Sequence, residues 1–127
     1  MKRAYFDTSA IVKLSHVEEH SQAVIDYLEQ ELEVSTSIIS EVETDRALGR
    51  AGVDANESIS GFYLLALDED VRREAGRIGS PRLRSLDAIH LATALSIGDR
   101  EIEFVTYDDR QAEAARSAGL KDVQPGR

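Results

Sequence analysis

The twelve residues Arg3-Ala4-Tyr5-Phe6-Asp7-Thr8-Ser9-Ala10-Ile11-Val12-Lys13-Leu14 decide how the rest of the chain is read. Arg3 to Phe6 is a short apolar-rich run of strand length, Ala10 to Leu14 is the turn of helix after it, and Asp7 stands at the junction. A carboxylate at that junction has two readings. It caps the following helix by accepting bonds from free amides, or it belongs to a site, because ligands gather at the carboxyl ends of strands in an open α/β sheet.

Working outward, the strand-then-helix pattern repeats. Glu18 to Glu31 carries Ala23, Val24, Tyr27 and Leu28 on one helical stripe, and Glu33 to Thr36 is a second short strand. Ile38 to Ala51 reads as helix, and Gly52 to Gly61, where Gly, Asp, Asn and Ser cluster, as the most loop-like segment. Phe62 to Leu67 has strand length and Glu69 to Ile78 returns to helix. After Pro81, Leu86 to Ile97 is apolar almost all round, as a core helix is, with Ser85 placed to cap it. Glu103 to Tyr107 reads as a strand, Asp109 to Ala118 as a helix stopped by Gly119, and Lys121 to Val123 as a last strand. The expected fold is α/β: a three-layer α/β/α sandwich around a central, mainly parallel sheet, with residues 1–127 forming a single domain.

Composition narrows the chemistry. With 42% hydrophobic and 31% charged residues the chain is ordinary globular material, which excludes extended disorder. The absence of cysteine excludes disulfides and thiolate metal sites, so a metal would be held by oxygen or histidine. The start of the chain has basic residues but no apolar h-region, and no apolar run approaches the roughly 18 residues of a membrane helix; a cytoplasmic protein is expected. A net charge of −9 disfavours a broad basic surface for nucleic acid. Cations bound among the acids and a few local arginines would offset this, and so acidic a chain also suits a basic partner.

Several acids fall where a site is expected. Asp108 follows the strand ending at Tyr107 as Asp7 follows Phe6, so both sit at strand ends on one edge, and each also has the helix-cap reading. Asp87 lies in the first turn of the most apolar helix, where the helix dipole stabilises a carboxylate by only about 0.3–1 kcal/mol. Full desolvation costs several kcal/mol, so a compensating partner such as a cation is expected there. Glu41 and Glu43 lie two apart and face different sides of their helix, so one of them at most reaches the same edge, and both are also readable as a solvated face. Converging carboxylates repel unless a cation relieves them. Mg²⁺ or Mn²⁺, which prefer oxygen ligands, would do so and would support hydrolysis of a phosphodiester by an activated water.

Taken together, Phe6 to Leu14, Val42-Glu43, Ser85-Leu86-Asp87-Ala88-Ile89-His90-Leu91-Ala92-Thr93-Ala94-Leu95 and Val105-Thr106-Tyr107-Asp108-Asp109-Arg110 resemble the PIN domain, and within it the toxin ribonucleases of the VapC type. The resemblance spans nearly the whole chain. It implies a Mg²⁺- or Mn²⁺-dependent endoribonuclease with Asp7, Glu43, Asp87 and Asp108 as the catalytic, metal-holding acids, Asp109 competing with Asp108. Ser9 and Thr106 are implied as supporting groups. It also implies an RNA substrate, such as a transfer RNA, a VapB-like antitoxin that silences the enzyme, and a homodimer. The Gly52 to Gly61 segment is short beside many relatives.

Lys13, Arg46, Arg82 and Arg84 lie near these motifs and are candidate phosphate contacts, the alternative being surface ion pairs with the many acids. His90, three residues after Asp87, reads as a packed core histidine more readily than as a general base. His16 and His20 have helical metal spacing but no third ligand nearby. A phosphatase with a strand-end Asp nucleophile would need a second Asp where Ser9 stands, and a receiver-like switch would need a paired acid beside Asp7. A general RNA-processing nuclease and a non-catalytic PIN-like binding module are the remaining alternatives.

Overall fold

The structure is a computed structural model that describes residues 1–54 and 56–127. Its elements follow one another as β1 (Lys2–Phe6), α1 (Thr8–Ile11) running into a 3₁₀ turn (Val12–Leu14), α2 (Ser21–Leu28), β2 (Leu32–Ser37), α3 (Ile39–Arg50), α4 (Asn56–Ile59), β3 (Tyr63–Leu65), α5 (Glu69–Ala75), α6 (Ser85–Ser96), β4 (Glu103–Val105), α7 (Asp109–Ser117) and β5 (Lys121–Val123). The strands form one sheet in the order β3-β2-β1-β4-β5, with parallel pairing at each step. The chain builds outward from β1 to β3 and then crosses to the other side of β1. That reversal puts a topological switch point between β1 and β4, where an open parallel sheet offers a crevice at its carboxyl edge.

The central strand is buried on both faces, and its pleat divides the core. Ala4 and Phe6 point into a cluster with Ala10, Ile11, Val24, Tyr27 and Val105, whereas Tyr5 points the other way, among Leu91, Ala94, Ile102, Phe104, Ala115 and Leu120. The first cluster packs α1 and α2 on one face; the second packs α6 and α7 on the other. This is the expected three-layer arrangement. Phe6 and Tyr5 are both fully buried, and each large side chain hidden in this way contributes roughly 1.5–3 kcal/mol.

The elements differ from the sequence expectation in instructive places. The helix expected over Glu18 to Glu31 is confined to Ser21–Leu28, because Lys13 draws in the residues before it: its ammonium donates to Glu18 Oε1 at 3.1 Å and to the Glu19 carbonyl at 2.8 Å. His20 then takes a left-handed conformation, φ 70°, to start the helix. The Gly52 to Gly61 loop contains the short helix α4, and Ala55 within it lies outside the described residues. The third strand is trimmed to Tyr63–Leu65 and the fourth to Glu103–Val105. Beyond Val105 the chain turns its polar groups inward, Tyr107 N–H donating to Ser9 Oγ at 2.9 Å. Ser85 is not a cap but the first residue of α6, and the N-cap position is Arg84 in extended conformation, with no side-chain capping bond.

Candidate active site

Asp7 occupies the carboxyl end of β1 and is nearly buried, 5% exposed. Ser9 Oγ donates to its Oδ1 at 2.6 Å, the Ala10 amide donates to the same oxygen at 3.3 Å, and the Thr106 hydroxyl donates to Oδ2. The helix-cap reading is therefore correct, since the carboxylate caps α1, but it accounts for only part of the geometry. Thr106 comes from the far side of the switch point, and its Oγ1 also accepts from the Asp108 amide at 3.1 Å, tying the ends of β1 and β4 together. Burial pushes the Asp7 carboxyl above its ordinary range, against the nearby His90 charge and the Ser9, Thr106 and Ala10 bonds.

Glu43 enters from α3. Thr8 Oγ1 donates to its Oε1 at 2.8 Å, and His90 Nε2 lies 2.9 Å from the same oxygen. The other ring nitrogen, Nδ1, is 2.7 Å from Tyr5 Oη. Burial raises the Tyr5 hydroxyl far above its ordinary range, so it stays protonated. An ionised Glu43 only accepts, so Nε2 carries the proton that faces it. For Glu43 itself burial is the largest single influence and raises its pKa, yet the His90 bond and charge, Thr8 and Arg84 together outweigh it and hold the carboxyl below its usual range. His90 is thus a packed histidine, 2% exposed, and also the residue that orients Glu43. Glu41, two residues earlier, is exposed in the first turn of α3.

Asp87 and Asp108 share one cation. Arg84 Nε donates to Asp87 Oδ2 at 3.0 Å and its Nη2 to Asp108 Oδ2 at 3.1 Å, while Asp108 Oδ1 caps α7 by accepting from the Arg110 and Gln111 amides. The fully buried Gln111 locks the two helices in place through a 3.0 Å bond from its side-chain amide to the Asp87 carbonyl. Asp109, the competitor for Asp108, is mostly exposed and pairs with Arg127 at 2.7 Å, on the outer side of the helix start.

The expected acids thus sit along one edge, laced by hydroxyls, His90 and Arg84, without converging on a preformed cage. Among the described residues no three His, Asp or Glu side chains come close enough to hold a metal ion. The donor set nonetheless suits a hard divalent cation, since it is carboxylate oxygen flanked by Ser and Thr hydroxyls. Asp7 supplies a buried carboxylate whose direct bonds come from hydroxyls and an amide rather than from a cationic side chain.

Of the candidate phosphate contacts, Lys13 turns its ammonium inward onto Glu18 and the Glu19 carbonyl, 4.5 Å above the Tyr107 ring. Arg46, Arg82 and Arg84 are exposed. His20 stacks on Tyr107. The residues that sequence reasoning missed are Thr8, Gln111 and the pairing of Tyr5 with His90. The available signal was weak: a hydroxyl beside Asp7, and one polar residue on the apolar face of α7.

A family model for the PIN domain matches residues 4–117. The chain belongs to the PIN-domain family. Two Mycobacterium tuberculosis relatives carry the similarity along nearly the whole chain: Ribonuclease VapC35 is 38% identical, covering 96% of both chains, and Ribonuclease VapC46 is 37% identical, covering 98% of this chain and 99% of its own. Among solved structures, the M. tuberculosis sarcin-ricin loop cleaving toxin VapC20 superposes with a TM-score of 0.76 at 18% identity, covering 96% of this chain and 99% of that chain. A toxin-antitoxin complex from Klebsiella pneumoniae gives 0.67 at 21% identity, with 85% and 88% covered. These two likenesses bear on the fold, and both agree with the parallel five-stranded sheet.

Proposed function

We propose that this PIN domain is an endoribonuclease, the toxin of a VapBC-type pair, and that it hydrolyses RNA phosphodiester bonds with Mg²⁺ or Mn²⁺ held by Asp7, Asp87, Asp108 and Glu43. The observation that carries the reading is the buried Asp7 carboxylate at the switch point, hydrogen-bonded across it to Thr106 and so coupled to Asp108. VapC ribonucleases as a family work with a divalent ion, and the oxygen-rich donor set here is compatible with one. Such a cation supplies Lewis-acid charge at the phosphate and an activated water.

The chain's own residues do the remaining work. Ser9 and Thr106 fix both oxygens of Asp7, and Thr8 and His90 fix Glu43 and favour its ionised form. Arg84 neutralises Asp87 and Asp108 and, with its side chain 66% exposed, is free to swing toward a phosphate. A VapB-like antitoxin would be a suitable partner for a chain of charge −9 if its contact surface is basic. A homodimer, a single domain, a cytoplasmic location and a structured target such as a transfer RNA complete the proposal. Among the described residues no helix is long and apolar enough to cross a membrane.

The separated carboxylates favour one other reading, a PIN-like module that binds without cutting. Incubating the purified protein with total RNA and Mn²⁺ beside an Asp7→Asn control separates the two. Metal-dependent cleavage lost in the variant is the expected result, and equal background in both points to the binding module. An Arg84→Ala change should slow cleavage about tenfold while increasing the thermal stabilisation given by added Mn²⁺, because Asp87 and Asp108 lose their competing cation. Unchanged cleavage together with unchanged Mn²⁺ stabilisation would remove Arg84 from the site.

A further inference from the structure

Next to the acidic edge a cavity of about 630 Å³ opens between the 78–84 segment and α7. Its size falls in the roughly 300–1,000 Å³ range of small-molecule sites. Ile78 and Leu83 form one wall, and Ala114 and Ala118, whose short side chains leave the space open, form the other. Asp87 and Arg84 line it too, so one of the two carboxylates that Arg84 bridges faces the cavity. Arg82 and Arg110 stand at its rim, and among the described residues neither is held in an ion pair, although acids outnumber basic residues 24 to 15 in the chain.

Apolar walls, arginines in the lining and contact with Asp87 of the acidic edge suit a nucleotide. We propose that this cavity takes one nucleotide of the RNA strand, next to the bond that is cut, with its base between the two apolar walls and its phosphate at Arg82 and Arg110. The proposal rests on the ribonuclease reading but goes beyond it, to a specificity subsite outside the four acids. Burial of a base against such walls is sequence-tolerant, because every base has an apolar face. Selection would come from Glu113 on the α7 wall. Its carboxylate accepts hydrogen bonds and so favours a base that presents an exocyclic amino group.

Titration of the protein with adenosine, cytidine and uridine 5′-monophosphates, followed by the methyl resonances of Ile78, Leu83, Ala114 and Ala118, tests this without any cleavage. The expected result is shifts confined to these methyls, weaker for the uridine nucleotide, with inorganic phosphate perturbing only the rim. A Ser117→Trp change, at an exposed position on the cavity wall, should fill the space. It should weaken nucleotide binding about tenfold and raise KM for a short RNA by a similar factor, leaving kcat in place. Arg82→Ala, a surface change that cannot disturb packing, should reproduce the KM effect in smaller measure.

Nucleotide shifts elsewhere on the protein, or a KM indifferent to both changes, overturn the subsite. So does occupation of the cavity by an antitoxin segment that nucleotides fail to displace. The two levels of the argument fail separately: RNA cleavage without nucleotide at these methyls removes the subsite alone, whereas nucleotide binding here in a protein that never cuts RNA removes the ribonuclease reading.

Discussion

Replacing Asp7 by Asn should abolish RNA cleavage and, at pH 7, raise the melting temperature. Both effects come from one buried carboxylate. Burial raises its pKa in the folded protein above the ordinary value of 3.8, so across the window above 3.8 the folded form binds the proton more tightly than the unfolded chain does. Stability from this group is therefore present at low pH, falls as pH rises through the raised folded pKa, and by neutral pH has become a cost. Asparagine keeps acceptors for Ser9 and the Ala10 amide without the charge, and each kcal/mol relieved is worth about 4 °C in a chain of this length. The gain should shrink as pH is lowered toward 4.

Activity should move the opposite way. Loss of one charged oxygen donor at the centre of the site is expected to lower the cleavage rate by about a hundredfold or more. Scanning calorimetry at pH 7 and pH 4.5, beside an RNA cleavage assay in Mn²⁺, reads both. A variant that melts lower at neutral pH contradicts the electrostatic account, and one that cuts RNA at the wild-type rate contradicts the catalytic one.

His90→Ala should be the most damaging single change to the site's scaffold. The ring is almost fully buried and joins Tyr5 to Glu43 through its two nitrogens. Truncation leaves a cavity and removes the His90 partner of the Tyr5 hydroxyl, together costing about 2–4 kcal/mol, or roughly 10 °C in melting temperature. Glu43 loses the hydrogen bond and charge that offset its burial, so its pKa should rise and the acid limb of the cleavage profile should shift to higher pH.

His90→Gln is the discriminating control, because its amide can donate to Glu43 and accept from Tyr5. It should recover part of the stability and return the acid limb toward its original position. Tyr5→Phe should cost only about 1 kcal/mol. If the alanine variant lost stability yet kept the original pH profile, His90 would be a packing residue with no hold on Glu43.

Much of the fold was legible because burial has a local period. Arg3 to Phe6 reads as a short strand, and α6 reads as a core helix because apolar residues surround it. Asp7, Asp87 and Asp108 stand at strand ends or a helix start, positions that a linear reading can see, whereas Glu43, inside α3, was implied by the family resemblance. Lys13 shows the converse. Its neighbours in sequence look like a site, but its ammonium reaches Glu18 and the Glu19 carbonyl, and composition does not say which way a long side chain turns. Asp7 and Asp108 had two local readings each, and the geometry shows that each is a cap and an edge carboxylate at once.

The sequence by itself determined the alternation of elements and the placing of Asp7, Asp87 and Asp108 at element ends, because each depends on residues within a few positions of one another. Only the tertiary structure decided the strand order that sets β4 against β1 and so joins Thr106 to Asp7 across 99 residues. The same packing put His90 under Glu43, hung Asp87 and Asp108 on one arginine and opened a cavity beside them. Contacts between such distant residues are set by how whole layers dock, and no local periodicity carries that information.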